Sequence, residues 1–328
     1  MTLSVNPLGC SPRALRAIQT MRMRDVCTYP GQMRVLGILA NMFGMQPSCI
    51  LLGTGSEQLI KLACLSFLPP GGTAAVESGS FFLFSREPLF LGGIPVFFDF
   101  ETPEKQKKRP AVLFIANPTT PGGVDRTNDE ILNVIDTLKP TIAVIDEANG
   151  EFRNDTLISE IPKRKNLIVL RTFSKALGLA GLRIGMAFGD PKTIAKMSEV
   201  QQPFPVSSAA LIAAQAALKD AGFLRKTLAF VARERTFLTK QMEKRGFCVS
   251  PSVTNNLFVS RADNKKIIRQ LAARDVSVID GSFFPGNKMP GFRISLRDKR
   301  TNRKFLTRLD EALACLTREK LLGSKEII

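Results

Sequence analysis

The sequence predicts an α/β protein with a largely parallel sheet in a large domain and a second, smaller α+β domain. Short apolar runs bounded by turn residues alternate with helical stretches over the first two hundred residues. This alternation is typical of buried parallel strands that helices cover on both faces. Beyond that point, long helices come before three further strand candidates. A chain of 328 residues with 44% apolar residues is also long enough to bury a large core.

The strand candidates of the large domain are apolar runs of four to six residues. They cover residues 49–52, 73–77, 95–98, 111–116, 141–145, 166–171 and 184–188. Helices are predicted over residues 32–43, 58–67, 129–138, 207–219, 221–245, 265–274 and 302–320, and the smaller domain adds strands at 256–260, 276–280 and 292–296. In parallel sheets ligands bind beyond the carboxyl ends of the strands, so the turns after these strands are expected to carry the chemistry.

The chain is expected to divide into three regions. These are an N-terminal arm (1–25), a large domain (26–210) and a small domain (211–328). The arm is polar and irregular apart from a helix predicted over 12–24, with Ser11 as its N-cap and Pro12 at its first position. Such an arm could lie over another lobe or another subunit. The hinge is expected between residues 203 and 222, where strand candidates give way to long helices.

The chain contains no histidine. Histidine general bases, Ser-His-Asp triads and the most common metal ligand are therefore excluded. Acid–base chemistry near neutral pH would have to use lysine, tyrosine or a carboxylate with a shifted pKa. The six cysteines are scattered without a Cys-x-x-Cys pair, so we expect reduced thiols and no metal site.

The formal net charge is +17, but the basic residues are spread along the chain and form only short clusters. No nucleic-acid-binding motif accompanies them, so we expect no nucleic-acid partner. The field would still attract a small substrate that carries phosphate or carboxylate groups. No apolar run approaches the roughly 18–20 residues of a membrane span, and no signal pattern is seen. We therefore expect a cytoplasmic protein.

A lysine just beyond a predicted strand is the first candidate for chemistry. Lys175 follows the apolar run 166–170 and lies within residues 171–185, RTFSKALGLAGLRIG. Few carboxylates lie near it in the sequence, so its amine could be desolvated and held near neutrality, as Schiff-base chemistry requires. An isolated Ser-Lys pair is more often part of a surface loop. The neighbouring residues distinguish a Schiff-base lysine from a surface lysine.

Those neighbours, Thr-Phe-Ser-Lys followed by Gly-Leu-Ala-Gly-Leu-Arg-Ile-Gly, resemble the lysine motif of fold-type I pyridoxal-phosphate aminotransferases, specifically the histidinol-phosphate aminotransferase branch. The resemblance extends from residues 5–9 (VNPLG) to residues 292–296 (FRISL). It implies a fold-type I architecture with a mostly parallel seven-stranded sheet, pyridoxal 5'-phosphate as cofactor, and a homodimer. It also implies transamination between histidinol phosphate and 2-oxoglutarate in histidine biosynthesis, with Lys175 as the catalytic residue that binds the cofactor.

Asp146 ends another predicted strand. A buried aspartate needs a cation, although an isolated aspartate at such a position more often caps a helix or lies in a loop. In the family this residue faces the protonated pyridine nitrogen, which keeps the ring an electron sink. The resemblance therefore implies that Asp146 binds the cofactor ring.

The strand candidate 49–52 runs through a small-residue turn into a helix, which is a geometry that aims backbone N–H groups at a phosphate. A lone Gly-x-Gly is weak evidence by itself. The family holds the cofactor phosphate at this turn, which implies backbone donors at Gly55, Ser56 and Glu57. Further cofactor contacts implied by the resemblance are Phe81 on the ring, Thr172, Ser174 and Arg183 at the phosphate, and Tyr29 at the phosphate of the neighbouring subunit.

Two cofactor positions depart from the family. The turn 117–123 resembles the family's Asn-Pro-Asn-Asn-Pro-Thr-Gly, but Thr120 stands where the cofactor-binding asparagine is expected. Asn149 stands where a tyrosine usually bonds the ring hydroxyl. Both side chains can still reach that oxygen, so we retain them as cofactor-binding residues and expect an altered acidity of the Schiff base.

The substrate positions depart as well. Arg293 matches the arginine that clamps the carboxylate of glutamate or 2-oxoglutarate. Ile279 and Leu8 stand where an arginine for the substrate phosphate and a substrate-contacting tyrosine are common. Recognition of histidinol phosphate is therefore weakly supported. Threonine-phosphate decarboxylation in cobalamin synthesis, aromatic amino-acid transamination and a catalytically impaired pyridoxal-phosphate-binding protein stay open as alternatives.

Overall fold

The larger sheet of the computed structural model, which describes residues 1–323, contains seven strands. They are β1 (Ile50–Gly53), β2 (Thr73–Glu77), β3 (Ile94–Phe98), β4 (Val112–Ala116), β5 (Ile142–Asp146), β6 (Leu167–Thr172) and β7 (Gly185–Gly189). Their order is β1-β7-β6-β5-β4-β2-β3. Only β7 runs antiparallel to its neighbours, so the other six point the same way. The predicted mostly parallel sheet is confirmed.

Helices cover both faces of this sheet. They are α1 (Pro12–Gln19), α2 (Met23–Cys27), α3 (Met33–Phe43), α4 (Gly55–Phe67), α5 (Leu83–Phe90), α6 (Asn128–Leu138), α7 (Pro191–Glu199) and α8 (Ser208–Leu218). Apolar residues of α1, α3, α6 and α8 form one buried cluster with the sheet, and those of α4, α5 and α7 form the other. The central strands β4 and β5 are buried along their whole length, because they contact helices on both sides.

The second sheet has four antiparallel strands in the order β10-β11-β9-β8. Its elements are α9 (Ala221–Glu243), β8 (Cys248–Val249), β9 (Asn256–Ser260), α10 (Asn264–Ala272), β10 (Ile279–Asp280), β11 (Phe292–Ser295) and α11 (Lys299–Gly323). Phe292 and Ile294 of β11 pack into its apolar cluster, and the alternating residues Arg293 and Ser295 face the other way. Residues 324–328 of the predicted small domain lie outside the described residues.

Two predicted elements are at least three residues shorter in the structure, and two helices, α4 and α11, begin three residues earlier than predicted. The helix predicted over 12–24 ends at Gln19, and α2 begins separately at Met23, because the Asp25 carboxylate accepts the Arg22 N–H and starts a new helix there. The N-cap at Ser11 is confirmed, since its Oγ accepts two backbone N–H groups. The strand predicted over 276–280 is reduced to β10, whose pairing with β11 covers two residues.

The predicted boundary at residue 210 falls inside α8. That helix buries Leu211, Ala214 and Ala217 in the cluster of the larger sheet, and α9 begins only at Ala221. On this packing we propose a boundary between α8 and α9. No helix within the described residues has the length and apolar character that crossing a membrane requires.

Candidate active site

A cavity of about 330 Å³ opens beyond the carboxyl ends of β5 and β6, where ligands bind in sheets of this kind. Most of the residues predicted for the site line it. These are Ser56, Glu57, Phe81, Thr120, Asp146, Asn149, Thr172, Ser174, Lys175, Arg183 and Arg293. The two predicted residues outside the lining are Gly55 and Tyr29. Residues that are dispersed over 238 positions of the sequence therefore surround one cavity.

Asp146 and Lys175 reach this cavity from adjacent parallel strands. Asp146 is the last residue of β5 and is 6% exposed, and Lys175 follows β6. Burial raises the pKa of Asp146 to about 6, although the Ala148 N–H, which donates to Oδ1 at 2.9 Å, opposes the shift. Burial and the charge of Arg293 lower the pKa of Lys175 to about 8. The cavity thus combines an amine that is partly neutral near pH 7 with a carboxylate that a cationic ligand would stabilise.

The start of α4 lies at one side of the cavity and is suited to bind an anion. The first N–H groups of a helix have no partner within it, and α4 starts directly after β1, with Ser56 and Glu57 on the cavity wall. Arg183 lies beside this turn, because a Cβ on Gly55 would meet its Nη2 at 2.9 Å. Its Nη2 also pairs with Glu57 Oε2 at 3.0 Å. Gly55 thus allows the close approach of Arg183, because it has no side chain, and it adopts a φ of 76° that favours glycine.

Two hydroxyl groups line the same region, one at the end of β6 and one in the turn after it. Thr172 Oγ1 lies 3.0 Å from Ser174 Oγ and accepts the Ser174 N–H at 3.2 Å. Arg183 has a φ of 50°, which is uncommon for a residue other than glycine and occurs where the surrounding structure enforces it. Hydroxyls, a guanidinium and a helix start therefore converge on a space suited to a phosphate.

The close packing of β7 against this turn can be tested at Gly185. A Cβ there would meet the Gly55 carbonyl carbon and the Ser56 nitrogen at 2.5 Å, so Gly185→Ala has to displace the start of α4. We expect the dissociation constant of pyridoxal phosphate to rise about 10-fold or more, because the strain is of the order found in overpacked cores. The cofactor dissociation constant, measured by equilibrium titration, checks this.

The matched control is Gly181→Ala, since a Cβ at Gly181 would meet nothing within 4 Å. Its affinity for the cofactor should equal that of the unmodified protein. Equal affinity in both variants would contradict the assignment of the phosphate to the start of α4.

Thr120, Asn149 and Phe81 occupy the remaining wall. Asn149 is 7% exposed, and its Oδ1 makes no hydrogen bond within residues 1–323. A buried amide oxygen without a partner is costly, so a polar ligand group at this place would stabilise it. The Phe81 ring is held by edge contacts with Phe82 and Phe84, at centroid distances of 5.0 and 5.7 Å.

Arg293 reaches the cavity from β11 of the smaller sheet. Its Nη2 donates to the Thr2 carbonyl oxygen at 2.7 Å, and its Nε is buried without a hydrogen bond in the described part of the chain. The guanidinium carbon lies 5.5 Å from the ring centre of Phe284. Burial lowers the pKa of Arg293 to about 10. A cation in this environment is stabilised by an anionic ligand.

A buried ionic network that the sequence reasoning missed supports the site from behind. Glu147 is fully buried, and its carboxylate pairs with Arg171 Nε at 3.1 Å and Arg153 Nη1 at 3.5 Å. Arg171 also pairs with Glu151, and Arg153 with Asp125. Because Glu147 follows Asp146 and Arg171 precedes Thr172, the network links the turns that carry the site residues. Glu147 and Arg171, which are charged residues at the ends of apolar strands, could have predicted this network from the sequence.

Six further residues line the cavity without having been predicted as site residues: Leu3, Ser4, Val5, Ala148, Ala180 and Asn256. The N-terminal segment reaches the cavity because it binds the smaller sheet, where the Ser295 N–H donates to the Met1 carbonyl oxygen at 2.9 Å. No local pattern predicts that contact. Asn256 did carry a signal, because it is a polar residue at the start of the apolar strand NLFVS.

Tyr29 lies away from the cavity of its own chain. It is 81% exposed, and its ring stacks on Phe204 at a centroid distance of 4.5 Å. It borders a surface hollow together with Arg34 and Gln215. Tyr29 therefore has no role in the site that its own chain forms.

These residues fit pyridoxal 5'-phosphate. The cavity volume falls within the range of small-molecule sites. Asp146 would accept the pyridine N–H, the start of α4 with Ser174 and Arg183 would hold the phosphate, and the unpaired Asn149 amide would bind a ring substituent. Lys175 has the lowered pKa that a Schiff base requires.

The comparisons with known proteins agree with this arrangement. The chain matches the family described as aminotransferase class I and II over residues 28–309. It is 31% identical to histidinol-phosphate aminotransferase 2 of Nitrosospira multiformis, over 94% of this chain and 82% of that protein.

Solved structures share the fold. The histidinol-phosphate aminotransferase of Sinorhizobium meliloti, in complex with pyridoxal-5'-phosphate, superposes with a TM-score of 0.88 at 23% identity, covering 96% of this chain and 90% of that one. The L-threonine-O-3-phosphate decarboxylase of Porphyromonas gingivalis superposes with a TM-score of 0.82 at 20% identity, covering 95% and 98%. The fold and the cavity define a fold-type I enzyme architecture. Within it, the chain belongs to the class I and II aminotransferase family.

Proposed function

We propose that this chain is a transaminase that uses pyridoxal 5'-phosphate to exchange an amino group between histidinol phosphate and 2-oxoglutarate, giving imidazole-acetol phosphate and glutamate in histidine biosynthesis. The observation that carries the proposal is that Lys175, Asp146, Arg183 and the start of α4 all border the same cavity. Similarity to a relative named for this activity, at 31% identity, supports the substrate pair.

The bound cofactor would supply an electron sink for the carbanion at the substrate's α carbon. Lys175 Nζ is the group that holds and moves a proton, because its pKa of about 8 allows exchange near neutral pH. Asp146 stabilises positive charge at the ring nitrogen, and Arg293 binds the substrate's anionic group. Thr120, Asn149 and Phe81 orient the ring.

The alternatives receive less support. The similarity to the threonine-phosphate decarboxylase, at 20% identity, is a similarity of fold. No observation in the described residues favours aromatic substrates over histidinol phosphate. An impaired protein is less favoured because the lysine and the aspartate are both present, although Thr120 and Asn149 replace the family's residues.

The same proposal includes a homodimer in which Tyr29 contacts the cofactor phosphate of the partner chain. Its exposure, and that of Met23, Val26 and Met33 beside it, supports an interface there. A solution mass of one chain, about 36 kDa by sedimentation, would contradict the dimer. A cytoplasmic location is part of the proposal and is tested by cell fractionation.

Glutamate and histidinol phosphate should each convert the bound cofactor to its amino form. The test titrates the purified, cofactor-loaded protein with each compound and follows the absorbance spectrum of the cofactor. Glutarate, which has the carbon skeleton of glutamate without the amine, is the control and should leave the cofactor unconverted. Release of carbon dioxide from threonine phosphate would instead support the decarboxylase, and no conversion by any amine would support the impaired protein.

A further inference from the structure

Asn256 lies beside Arg293 on the face of the smaller sheet that borders the cavity. In the pairing of β9 with β11, Asn256 is opposite Ser295 and Phe258 is opposite Arg293. Residues that pair directly share a face, and diagonal neighbours on that face are about 7–8 Å apart. Asn256 and Arg293 are such a diagonal pair, and both line the cavity.

The Asn256 side chain is held in one orientation. Its Oδ1 accepts hydrogen bonds from Ser4 Oγ and from Ser295 Oγ, the latter at 3.0 Å. Its backbone N–H donates to Thr254 Oγ1 at 3.2 Å, and its carbonyl oxygen accepts from Ser252 Oγ at 2.7 Å. With the amide oxygen bound to two hydroxyls, the amide nitrogen is the end left for the cavity.

That nitrogen donates to no acceptor among the described side chains, and it is not one of the buried atoms that lack a partner, so it borders the open cavity. A donor at the wall of a cavity, with no acceptor in the protein, is available to a ligand that supplies one. The neighbouring Arg293 needs an acceptor more strongly, because its Nε is buried without a partner in the described part of the chain. Two adjacent donors therefore lack an acceptor in the same part of the cavity.

We propose that Asn256 Nδ2 and the Arg293 guanidinium together bind the anionic group of the substrate, with Ser4 and Ser295 holding the amide in position. This inference rests on the proposed function, and it assigns a substrate-binding role to Asn256. The subsite carries one positive charge and one neutral donor. A substrate carboxylate or phosphate that enters it receives a hydrogen bond from the amide as well as the charge of the guanidinium.

The test is Asn256→Asp, which keeps the shape of the side chain and replaces the donor by an acceptor. The new carboxylate also offsets the positive charge of the Arg293 guanidinium. We expect the dissociation constant of glutarate, measured by calorimetry on the cofactor-loaded protein, to rise about 30-fold or more, as for the loss of a hydrogen bond to a charged group. The KM for glutamate should rise by a similar factor with a smaller change in kcat. The cofactor content should stay that of the unmodified protein.

Asn133→Asp is the matched control, because it makes the same change of charge on the exposed side of α6 and should leave glutarate binding unaltered. Asn256→Ser carries the test if the aspartate variant does not fold, and it should weaken glutarate binding by a smaller factor. Unchanged glutarate affinity in a folded Asn256 variant overturns the inference. A parallel loss of cofactor also overturns it, since Asn256 would then act on the cofactor and not on the substrate.

The two proposals fail in different ways. If the unmodified protein neither binds glutarate nor reacts with glutamate, the proposed function fails. If the unmodified protein does both and the Asn256 variants match it, only the role of Asn256 fails.

Discussion

Lys175→Ala is expected to lower the rate of transamination by about 10²–10⁴-fold, since proton transfer by a positioned side chain contributes a factor of that order. The chain has no histidine, the only tyrosine lies outside the cavity, and Asp146, whose pKa is about 6, is assigned to the ring nitrogen, so no further group is left to replace the amine. The measurement is kcat for glutamate and 2-oxo acid exchange with the cofactor supplied in excess.

The fold should survive this substitution. Burial lowers the pKa of Lys175, which means that folding disfavours its charged form, so removal of the amine should not lower the melting temperature at neutral pH. Lys192→Ala, at an exposed position of α7, is the control and should retain full activity. Substantial turnover by a folded, cofactor-loaded Lys175→Ala protein would refute the catalytic role.

Glu147→Ala should cause the largest loss of stability among the changes considered for this protein. Its carboxylate is fully buried between Arg171 and Arg153, and it also accepts hydrogen bonds from Thr156 Oγ1 at 2.6 Å and from the Leu157 N–H at 2.8 Å. Truncation leaves two buried guanidinium groups without their shared anion, and such losses cost about 3–5 kcal/mol. For a chain of this length that corresponds to a fall in melting temperature of roughly 4–7 °C.

Denaturant unfolding measures the change in the free energy of unfolding. Glu160→Ala is the matched control, because it removes a carboxylate whose pair with the exposed Lys163, at 3.0 Å, lies on the surface and should cost less than about 1 kcal/mol. Glu147→Gln, which keeps the shape and one acceptor, should fall between the two. If Glu147→Ala and Glu160→Ala had the same free energy of unfolding, the buried ionic network would not stabilise the fold.

The sequence predicted the seven strands of the larger sheet with an error of at most one residue at each end. A central strand such as β4 is a continuous apolar run, and burial on both faces requires such a run, so the pattern is unambiguous. The prediction failed where local signals were weak. The helix that was expected to continue through Thr20 stops there, because Asp25 competes for the backbone N–H groups of the following turn.

The positions of the two proposed catalytic residues were also predictable, for a related reason. Asp146 and Lys175 stand at the ends of apolar strands, and parallel strands bring their carboxyl ends to the same edge of a sheet. Any residue that departs from the apolar pattern at those positions is a candidate for the site. The resemblance to a known family then gave each candidate a role.

By itself the sequence determined the fold class and the places of Lys175 and Asp146 at the carboxyl ends of two strands. Strand burial and strand direction follow from local patterns of apolar residues. The tertiary structure alone decided that Asn256 joins Arg293, that Ser4 holds its amide, and that Tyr29 faces away from the cavity. Ser4 and Asn256 are 252 positions apart, and they meet only because the N-terminal segment packs on the smaller sheet. Contacts between distant segments depend on the packing of whole elements, and no local pattern encodes that packing.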